Sequence, residues 1–470
     1  MKILLVLPAN DARRVVPGGP VPRRAMLRFS VLSLTVVAAL TPPEHEVRLV
    51  DENVEPLDPD TDADLVGISF MTALAPRAYE LAATFRARGK TVVAGGYHPT
   101  LVPDEVARHF DSVVVGEAEG QWPALLDDFA RGRLRPLYRR AWPCDPLQIP
   151  EARRELTASS ARHYVTTAAV QAARGCPHAC SYCSIAAFHG SRLRTRPLAA
   201  IVNELRRLPR RFMFVDDNLV ADRAFAQRLL EALVPLRKFW VGQCSILLAD
   251  DAKLLRLARR AGCRGLFIGL ESLDPGNLGA VGKSFNRAEE YGRRLAAIRR
   301  AGIGVVAGII VGMDQDDRTV FQRTLRFLDQ HRIDALQLNI LTPLPGTPLF
   351  EQFQRDGRIL DRDWSHYDFR HVVIRPNRMT PEELQAGADW LYREFYRPSR
   401  ILRRAASALL TLGPLAAWLS LRLNLTYLRD NRLDGIVGWN PAAERPAAHR
   451  TGPSVTRPRP AHLTGASGLR

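Results

Sequence analysis

Short apolar runs and longer amphipathic intervals alternate along most of the chain. Residues 3–7, 47–50, 65–69, 91–94 and 112–115 are rich in Val, Ile and Leu, and most intervals between them carry apolar residues at helical spacing. Continuous apolar runs are strands buried on both faces, and strands alternating with helices give a parallel sheet covered on both sides. Such a sheet takes its ligand beyond the carboxyl ends of its strands. The pattern predicts an α/β domain over 1–140, followed by a proline-punctuated linker over 141–162. From Tyr164 the alternation resumes, with strands near 164–173, 212–216, 239–244, 265–269, 305–311 and 335–340. Helices near 197–208, 222–235, 250–261, 287–301 and 316–330 intervene. Six βα units over 163–345 fit a partial (β/α)6 barrel of the TIM type, with functional residues at the carboxyl ends of its strands.

Beyond 345 this pattern stops. Residues 346–430 read as a small helical domain, with Thr380-Pro-Glu-Glu383 as a helix start and Trp364, His366, Tyr367, Trp390, Tyr392 and Tyr396 as aromatics that pack or, alternatively, line a substrate pocket. Residues 431–470, rich in Pro, Ala and Arg with no acid after Glu444, read as a disordered tail. Residues 26–41 are apolar but carry Arg28 and are too short to cross a bilayer, so a core helix is expected there. Residues 401–422 are apolar with arginines at each end and are broken by Gly413-Pro414. They fit either a packed helical hairpin or an interfacial membrane contact beside a lipid-like substrate.

Composition narrows the function. A hydrophobic content of 46% supplies full cores, and the net charge of +17 comes from arginines scattered along helices rather than from a basic stripe. With no RNA-binding aromatic motif, no nucleic-acid partner is expected. The N-terminal eight residues read as a buried strand ended by proline, not a signal peptide. Three of the six cysteines stand alone at 144, 244 and 263, which fits a reducing compartment. A cytoplasmic monomer is the expectation, with membrane association through 401–422 as the variant on it.

The candidate chemistry lies in Arg174-Gly-Cys176-Pro-His-Ala-Cys180-Ser-Tyr-Cys183. Three thiolates in one loop can hold three irons of a four-iron cluster and leave the fourth for a non-protein ligand. The competing reading is a zinc site closed by His178 or His189. Other strand ends carry Phe214-Val-Asp216-Asp217-Asn218, Gly269-Leu-Glu271-Ser272, Gly308-Ile-Ile310-Val-Gly312 and Pro343-Leu-Pro-Gly-Thr347. Carboxylates there suit an ammonium group or ribose hydroxyls, and a G-x-I-x-G edge suits a flat base. The plainer alternatives are that Asp217-Asn218 cap the next helix and that the glycines end strands. In the first domain Gly67-Ile-Ser69, Gly95-Gly96-Tyr-His98 and Gly116-Glu117 fall on one edge, where tight turns or the close approach of a large ligand would use them.

These residues together resemble the radical S-adenosylmethionine superfamily. The first half, with Asp64-Leu-Val-Gly-Ile-Ser69, Gly95-Gly-Tyr-His98 and Val115-Gly-Glu-Ala-Glu119, resembles the Rossmann-like, flavodoxin-type cobalamin-binding domain of one large branch. The resemblance covers roughly residues 1–400. It implies that Cys176, Cys180 and Cys183 ligate a [4Fe-4S] cluster whose open iron is chelated by S-adenosylmethionine. Reductive cleavage, with electrons from a flavodoxin- or ferredoxin-type donor, then yields a hydrogen-abstracting 5′-deoxyadenosyl radical. By position, Asp216 or Asp217 would meet the methionine amine, and Glu271 the ribose or amine. Gly308, Ile310 and Gly312 would meet the adenine, and Tyr182 would shield the cluster. Gly67, Ser69, Gly95, Gly96, His98 and Glu117 would border cobalamin. The D-x-H-x-x-G sequence is absent, since the chain reads Pro8-Ala-Asn-Asp-Ala-Arg-Arg14 after the first strand, so no histidine lower ligand is expected. The implied reaction is C-methylation of an unactivated carbon, the methyl passing from S-adenosylmethionine through cobalamin. Oxidative cyclisation or ring rearrangement is the alternative, and a non-catalytic corrinoid or cluster carrier a third reading. The substrate is a small or lipid-like molecule: a lipid, a tetrapyrrole or a natural-product scaffold.

Overall fold

A computed structural model describes residues 1–19, 31–139 and 144–433. Its first sheet holds β1 (Lys2–Leu7), β2 (Glu46–Asp51), β3 (Leu65–Ser69), β4 (Thr91–Gly95), β5 (Ser112–Val115) and β6 (Leu137–Arg139), all parallel, in the order β2-β1-β3-β4-β5-β6. Successive residues of β1, β3, β4 and β5 enter opposite cores, which is why those runs are apolar. Leu4, Val6, Val66, Ile68, Val92 and Ala94 pack with helix Ala75–Arg86. Ile3, Leu5, Leu65 and Val93 pack with Leu32–Ala39 and Trp122–Ala130. The order reverses between β1 and β3, and the crevice at such a reversal is where a doubly wound sheet binds its ligand. The core helix expected over 26–41 is Leu32–Ala39, and residues 20–30 lie outside the described residues.

The second sheet begins at β7 (Ala169–Val170), after which β8 (Ala173–Arg174) and β9 (Arg194–Thr195) form an antiparallel ribbon. It continues with β10 (Arg211–Phe214), β11 (Phe239–Gln243), β12 (Cys263–Glu271), β13 (Gly304–Val311) and β14 (Ala335–Ile340). All are parallel in the order β14-β13-β12-β11-β10-β7, an open arc in which each strand lies beside the next in sequence. The strand read over 164–173 is cut short at Val170. The amides of Ala172 and Ala173 donate to the Asp216 carboxylate, at 3.1 and 2.6 Å, instead of to a ladder neighbour.

Leu266, Ile268, Leu270, Val305, Ala307 and Ile309 face the helices. The alternate residues of β11–β13 point inward and include Gly265, Gly269 and Gly308. With only Gly265 beside it on the next strand, Val241 remains 38% exposed on that face.

Helix Pro381–Phe395 opens with the expected capping box of Thr380 and Glu383. Tyr396 is buried, and its hydroxyl donates to the Leu336 carbonyl at 2.6 Å and accepts from the Leu336 amide at 3.1 Å. Helices Pro398–Leu412 and Pro414–Leu433 turn at Gly413, whose φ of 94° admits glycine best. Residues 401–422 are thus a helical hairpin, and among the described residues no helix is long and apolar enough to cross a membrane. The tail expected to be disordered lies, from 434 onward, outside the described residues.

Candidate active site

The cysteine loop leaves β8 at the carboxyl end of the barrel. Gly175, with φ of 81°, makes the turn, and a Cβ there would sit 2.3 Å from the Arg192 carbonyl oxygen. The loop is pinned to the following elements: the Ser181 amide donates to the Val281 carbonyl at 3.1 Å, and the Leu349 amide donates to the Ser181 carbonyl at 3.0 Å. Cys183 forms the N-cap of helix Ser184–His189, and its amide donates back to the Cys180 carbonyl at 3.0 Å. Burial raises all three thiols, Cys183 to about 11. Among the described residues no three His, Cys, Asp or Glu side chains enclose a single metal ion. A four-iron cluster asks for something looser, one thiolate on each of three irons. The residues needed to close a zinc site are turned elsewhere. His178 stacks on Phe285 at 3.9 Å, and His189 Nδ1 is 3.1 Å from Glu117.

The two carboxylates after β10 are not equivalent. Asp216 is buried and spent on the Ala172 and Ala173 amides; burial lifts its carboxyl to about 7 against those bonds. Asp217 points the other way, and burial raises it too, with the charge of His189 and the Gly175 amide drawing it down. Its Oδ2 is buried without a hydrogen-bond partner. A carboxylate oxygen left so beside the cysteine loop fits a cationic ligand that the protein itself does not supply. Asn218 accepts from the Ser245 amide at 3.0 Å, and the following helix is capped by Asp222 through the Phe225 amide at 2.9 Å. Helix capping therefore does not explain Asp217-Asn218.

Glu271 ends β12 at φ 66°, a conformation costly for a residue with a Cβ and retained where function requires it. Its Oε1 pairs with Lys283 Nζ at 2.5 Å, and Lys283 lies 3.4 Å from the Tyr182 hydroxyl. Lys283 had no signal in the sequence; only the fold brings its turn back to the cysteine loop. Ile310 is buried. Gly308 and Gly312 leave room for neighbouring side chains, since a Cβ would sit 2.7 Å from Phe267 at the first and from Leu384 at the second.

On the first domain's edge, Gly95 has no atom within 4 Å of where a Cβ would be. Gly96, at φ 103°, would bring a Cβ to 2.9 Å from the Phe70 carbonyl oxygen and Ser69 Oγ. Gly95 is the open part of the edge, and Gly96 turns tightly against Ser69 and Phe70. Three other expectations fall away from it. Gly67 is packed, its Cβ position 3.0 Å from Leu5. His98 is fully buried beneath Trp364, Phe70 and Tyr79, with Nε2 3.1 Å from the Tyr79 hydroxyl and Nδ1 3.3 Å from Thr72 Oγ1. Glu117 is turned into the barrel. It accepts from both terminal nitrogens of Arg194, at 2.8 and 2.9 Å, from Arg174 at 3.1 Å and from the Cys144 amide at 3.2 Å. Arg174 also donates to Glu119 at 2.8 Å. These carboxylates join the two sheets rather than border a ligand.

Burial lowers His98 to about 4, with Glu105, 3.9 Å away, opposing it weakly. A histidine kept neutral in the fold favours folding above its unfolded value and loses that contribution as pH falls. The unfolded chain takes up a proton near 6.5 that the folded chain refuses until about 4. Between pH 7 and 5 this residue alone should withdraw roughly 2 kcal/mol. Urea unfolding at the two pH values should show a smaller acid loss in His98→Phe than in the parent, whatever its absolute stability.

A parallel switch-point sheet joined to a six-stranded arc with a three-cysteine loop at its carboxyl end defines the chain's class: it belongs to the cobalamin-dependent radical S-adenosylmethionine enzymes. The model of the radical SAM superfamily matches residues 170–328, and that of the B12 binding domain matches residues 25–126. The chain is 32% identical to the bacteriochlorophyllide d C-12(1)-methyltransferase of Chlorobaculum tepidum, over 86% of this chain and 89% of that protein. It is 31% identical to that organism's bacteriochlorophyllide d C-8(2)-methyltransferase, over 79% and 87%. In fold it is similar to the radical S-adenosylmethionine methyltransferase TsrM of Kitasatospora setae, with a TM-score of 0.67 at 16% identity over 92% of this chain and 99% of that one. The chain is accordingly an enzyme, a C-methyltransferase that works with a [4Fe-4S] cluster, S-adenosylmethionine and cobalamin on a small molecule.

Gly269 gives a direct handle on the Glu271 pair. A Cβ there would stand 2.2 Å from Glu271 Oε1 and 3.0 Å from Lys283 Nζ. Gly269→Ala should drive the carboxylate off Lys283, cost about 1–3 kcal/mol in stability and weaken S-adenosylmethionine binding roughly ten-fold. Calorimetric titration of the cluster-loaded protein measures the second effect.

Proposed function

We propose that this enzyme C-methylates a large, largely apolar ring compound of the tetrapyrrole type, seated in the barrel mouth between the cysteine loop and the cobalamin edge. The observation that carries the reading is the glycine-lined inner face, which leaves Val241 38% exposed. An apolar wall left uncovered on the barrel's inner face suits a flat apolar substrate. Two relatives that align along most of the chain are named for methylation of bacteriochlorophyllide d.

The bound cofactors supply a hydrogen-abstracting radical and a transferable methyl group. Cys176, Cys180 and Cys183 hold the cluster. Asp217, with its unpartnered Oδ2, accepts from the methionine ammonium, a task Asp216 cannot take because its oxygens are already engaged. Glu271, poised by Lys283, receives the ribose hydroxyls, and Ile310 between Gly308 and Gly312 gives the adenine an apolar floor. Tyr182 covers the cluster side of this pocket. Ser69, Gly95 and Gly96 let cobalamin approach the backbone, and Glu117 holds the two halves in register. Residues 1–140 form the cobalamin domain, 141–162 the linker, 163–345 the barrel and 346–430 the helical domain of a monomer that receives electrons from a flavodoxin or ferredoxin.

The test is incubation of anaerobically reconstituted full-length enzyme with methyl-labelled S-adenosylmethionine, reductant, cobalamin and a chlorin macrocycle. Labelled product heavier by one CH2, formed with 5′-deoxyadenosine, is expected. Product lighter by hydrogen, or heavier by oxygen without label, would reject methylation in favour of cyclisation. Turnover of an open-chain lipid but of no macrocycle would reject the substrate class.

A further inference from the structure

The hairpin of Pro398–Leu412 and Pro414–Leu433 presents two unlike faces. Its inner face is buried and specific, with Ile401, Ala408 and Tyr427 buried beside a set of polar contacts. Arg404 lies 3.9 Å over the Phe395 ring and donates to Asn424 Oδ1 at 2.6 Å, while Asn424 Nδ2 donates to the Asp334 carbonyl at 2.8 Å. Arg299 donates to Ser407 and Thr411 at 3.2 and 3.0 Å. Its outer face is the reverse. Leu402, Ala406, Leu409 and Leu410 recur at i, i+4, i+7 and i+8 on the first helix and are all exposed, Leu402 by 63% and Leu410 by 86%. On the second helix the outward row reads Trp418, Arg422, Leu425 and Arg429, with Trp418 50% exposed and Arg422 5.7 Å from its ring.

A chain that hides nearly all its large apolar residues elsewhere has a reason to leave this row uncovered. Charge tells what covers it. No Asp or Glu occurs between Glu394 and Asp430; of the six arginines there, Arg397 pairs with Glu394, Arg400 and Arg403 pair with Asp329 and Arg404 is buried, which leaves Arg422 and Arg429 to charge the outer row. Apolar residues with a tryptophan and arginines, on helices not long and apolar enough to span, are the chemistry of a segment lying in the headgroup layer. The structure assigns this face to the surface of an anionic lipid bilayer. The hairpin sits under the amino ends of β13 and β14, beside Asp334 and Arg299, at the end of the barrel opposite the cysteine loop. Docking there leaves the cobalamin edge and the barrel mouth free. This assignment stands on the hairpin alone and holds whatever ring the active site accepts.

Flotation of the full chain with phosphatidylcholine vesicles, with and without phosphatidylglycerol, tests it. The protein is expected to float with the anionic vesicles, to do so less as salt rises, and to bind roughly ten-fold or more weakly as Leu410→Glu/Trp418→Glu. That variant alters only exposed side chains, so its melting temperature and its rate of 5′-deoxyadenosine formation should match the parent's. Arg422→Glu/Arg429→Glu removes charge but keeps the apolar row, and should lose the preference for anionic lipid. Absence of flotation with either vesicle, or equal flotation of both variants, overturns the assignment. So does a concentration-dependent dimer that Leu410→Glu/Trp418→Glu dissociates, with no lipid bound, because a second copy would then cover the face.

Discussion

Replacing Glu117 with alanine should cost roughly 3–5 kcal/mol and uncouple the two halves of the enzyme. The side chain is only 3% exposed and carries the charge that two buried guanidiniums, of Arg174 and Arg194, rely on. Burial alone would push its carboxyl up; hydrogen bonds from His189 and Arg194 and the charge of Arg174 outweigh it and hold the group well below the usual range. A carboxyl lowered in this way stabilises the fold above its unfolded value and stops doing so only in strong acid. The alanine variant therefore loses the contribution across the whole neutral range. The larger consequence is positional. Arg174 stands two residues before Cys176 and is gripped from the first domain by Glu117 and Glu119. Releasing it loosens the distance between the cobalamin edge and the cluster loop. Methylated product should fall about ten-fold or more relative to 5′-deoxyadenosine, because radical formation needs only the barrel whereas methyl transfer needs both halves. Denaturant unfolding and the ratio of the two products measure these effects. Glu117→Ala/Arg174→Met should recover part of the stability and none of the ratio. A Glu117→Ala enzyme with parental ratio would show that the knot is structural only.

The strands of the first sheet were legible because β1, β3, β4 and β5 are short apolar runs buried on both faces, and those of the barrel because apolar segments alternate with amphipathic helices. The cysteine loop was legible because its ligands are local, all within Cys176–Cys183. What escaped depended on distant partners. Val115-Gly-Glu117 reads as a ligand edge until Arg174 and Arg194 arrive, 57 and 77 residues later in the chain. His98 follows closely on Gly95, which is open, but Trp364 and Tyr79 close over it. Asp216 and Asp217 are adjacent and chemically identical. Only the sheet decides that the first meets the Ala172 and Ala173 amides and that the second turns to the loop. The short edge strand Leu137–Arg139 holds only Leu-Tyr-Arg and gives no apolar run to read.

Cys180→Ala should abolish 5′-deoxyadenosine formation and leave the fold standing. The thiol is buried in the pinned loop, and its sulfur lies 3.9 Å from the Gly282 carbonyl oxygen, so truncation costs only the small cavity, of the order of 1 kcal/mol. The chemistry has no such margin. Burial raises all three thiols, so each must release its proton to solvent as it binds an iron, and two thiolates cannot fix the cluster in the orientation that presents the open iron to S-adenosylmethionine. Cys244 and Cys263 are the matched controls. They too are buried, and their thiols are also raised by burial, but they pack among the apolar residues beneath the helices. Alanine at either should cost comparable or greater stability, about 1–2 kcal/mol, with iron content and radical formation unchanged. Iron and sulfide analysis, the electron paramagnetic resonance signal of the reduced protein and product assay separate the cases. Retained adenosyl cleavage in Cys180→Ala would remove this loop from the chemistry, whereas equal iron loss in Cys244→Ala would mean that the signal follows folding rather than ligation.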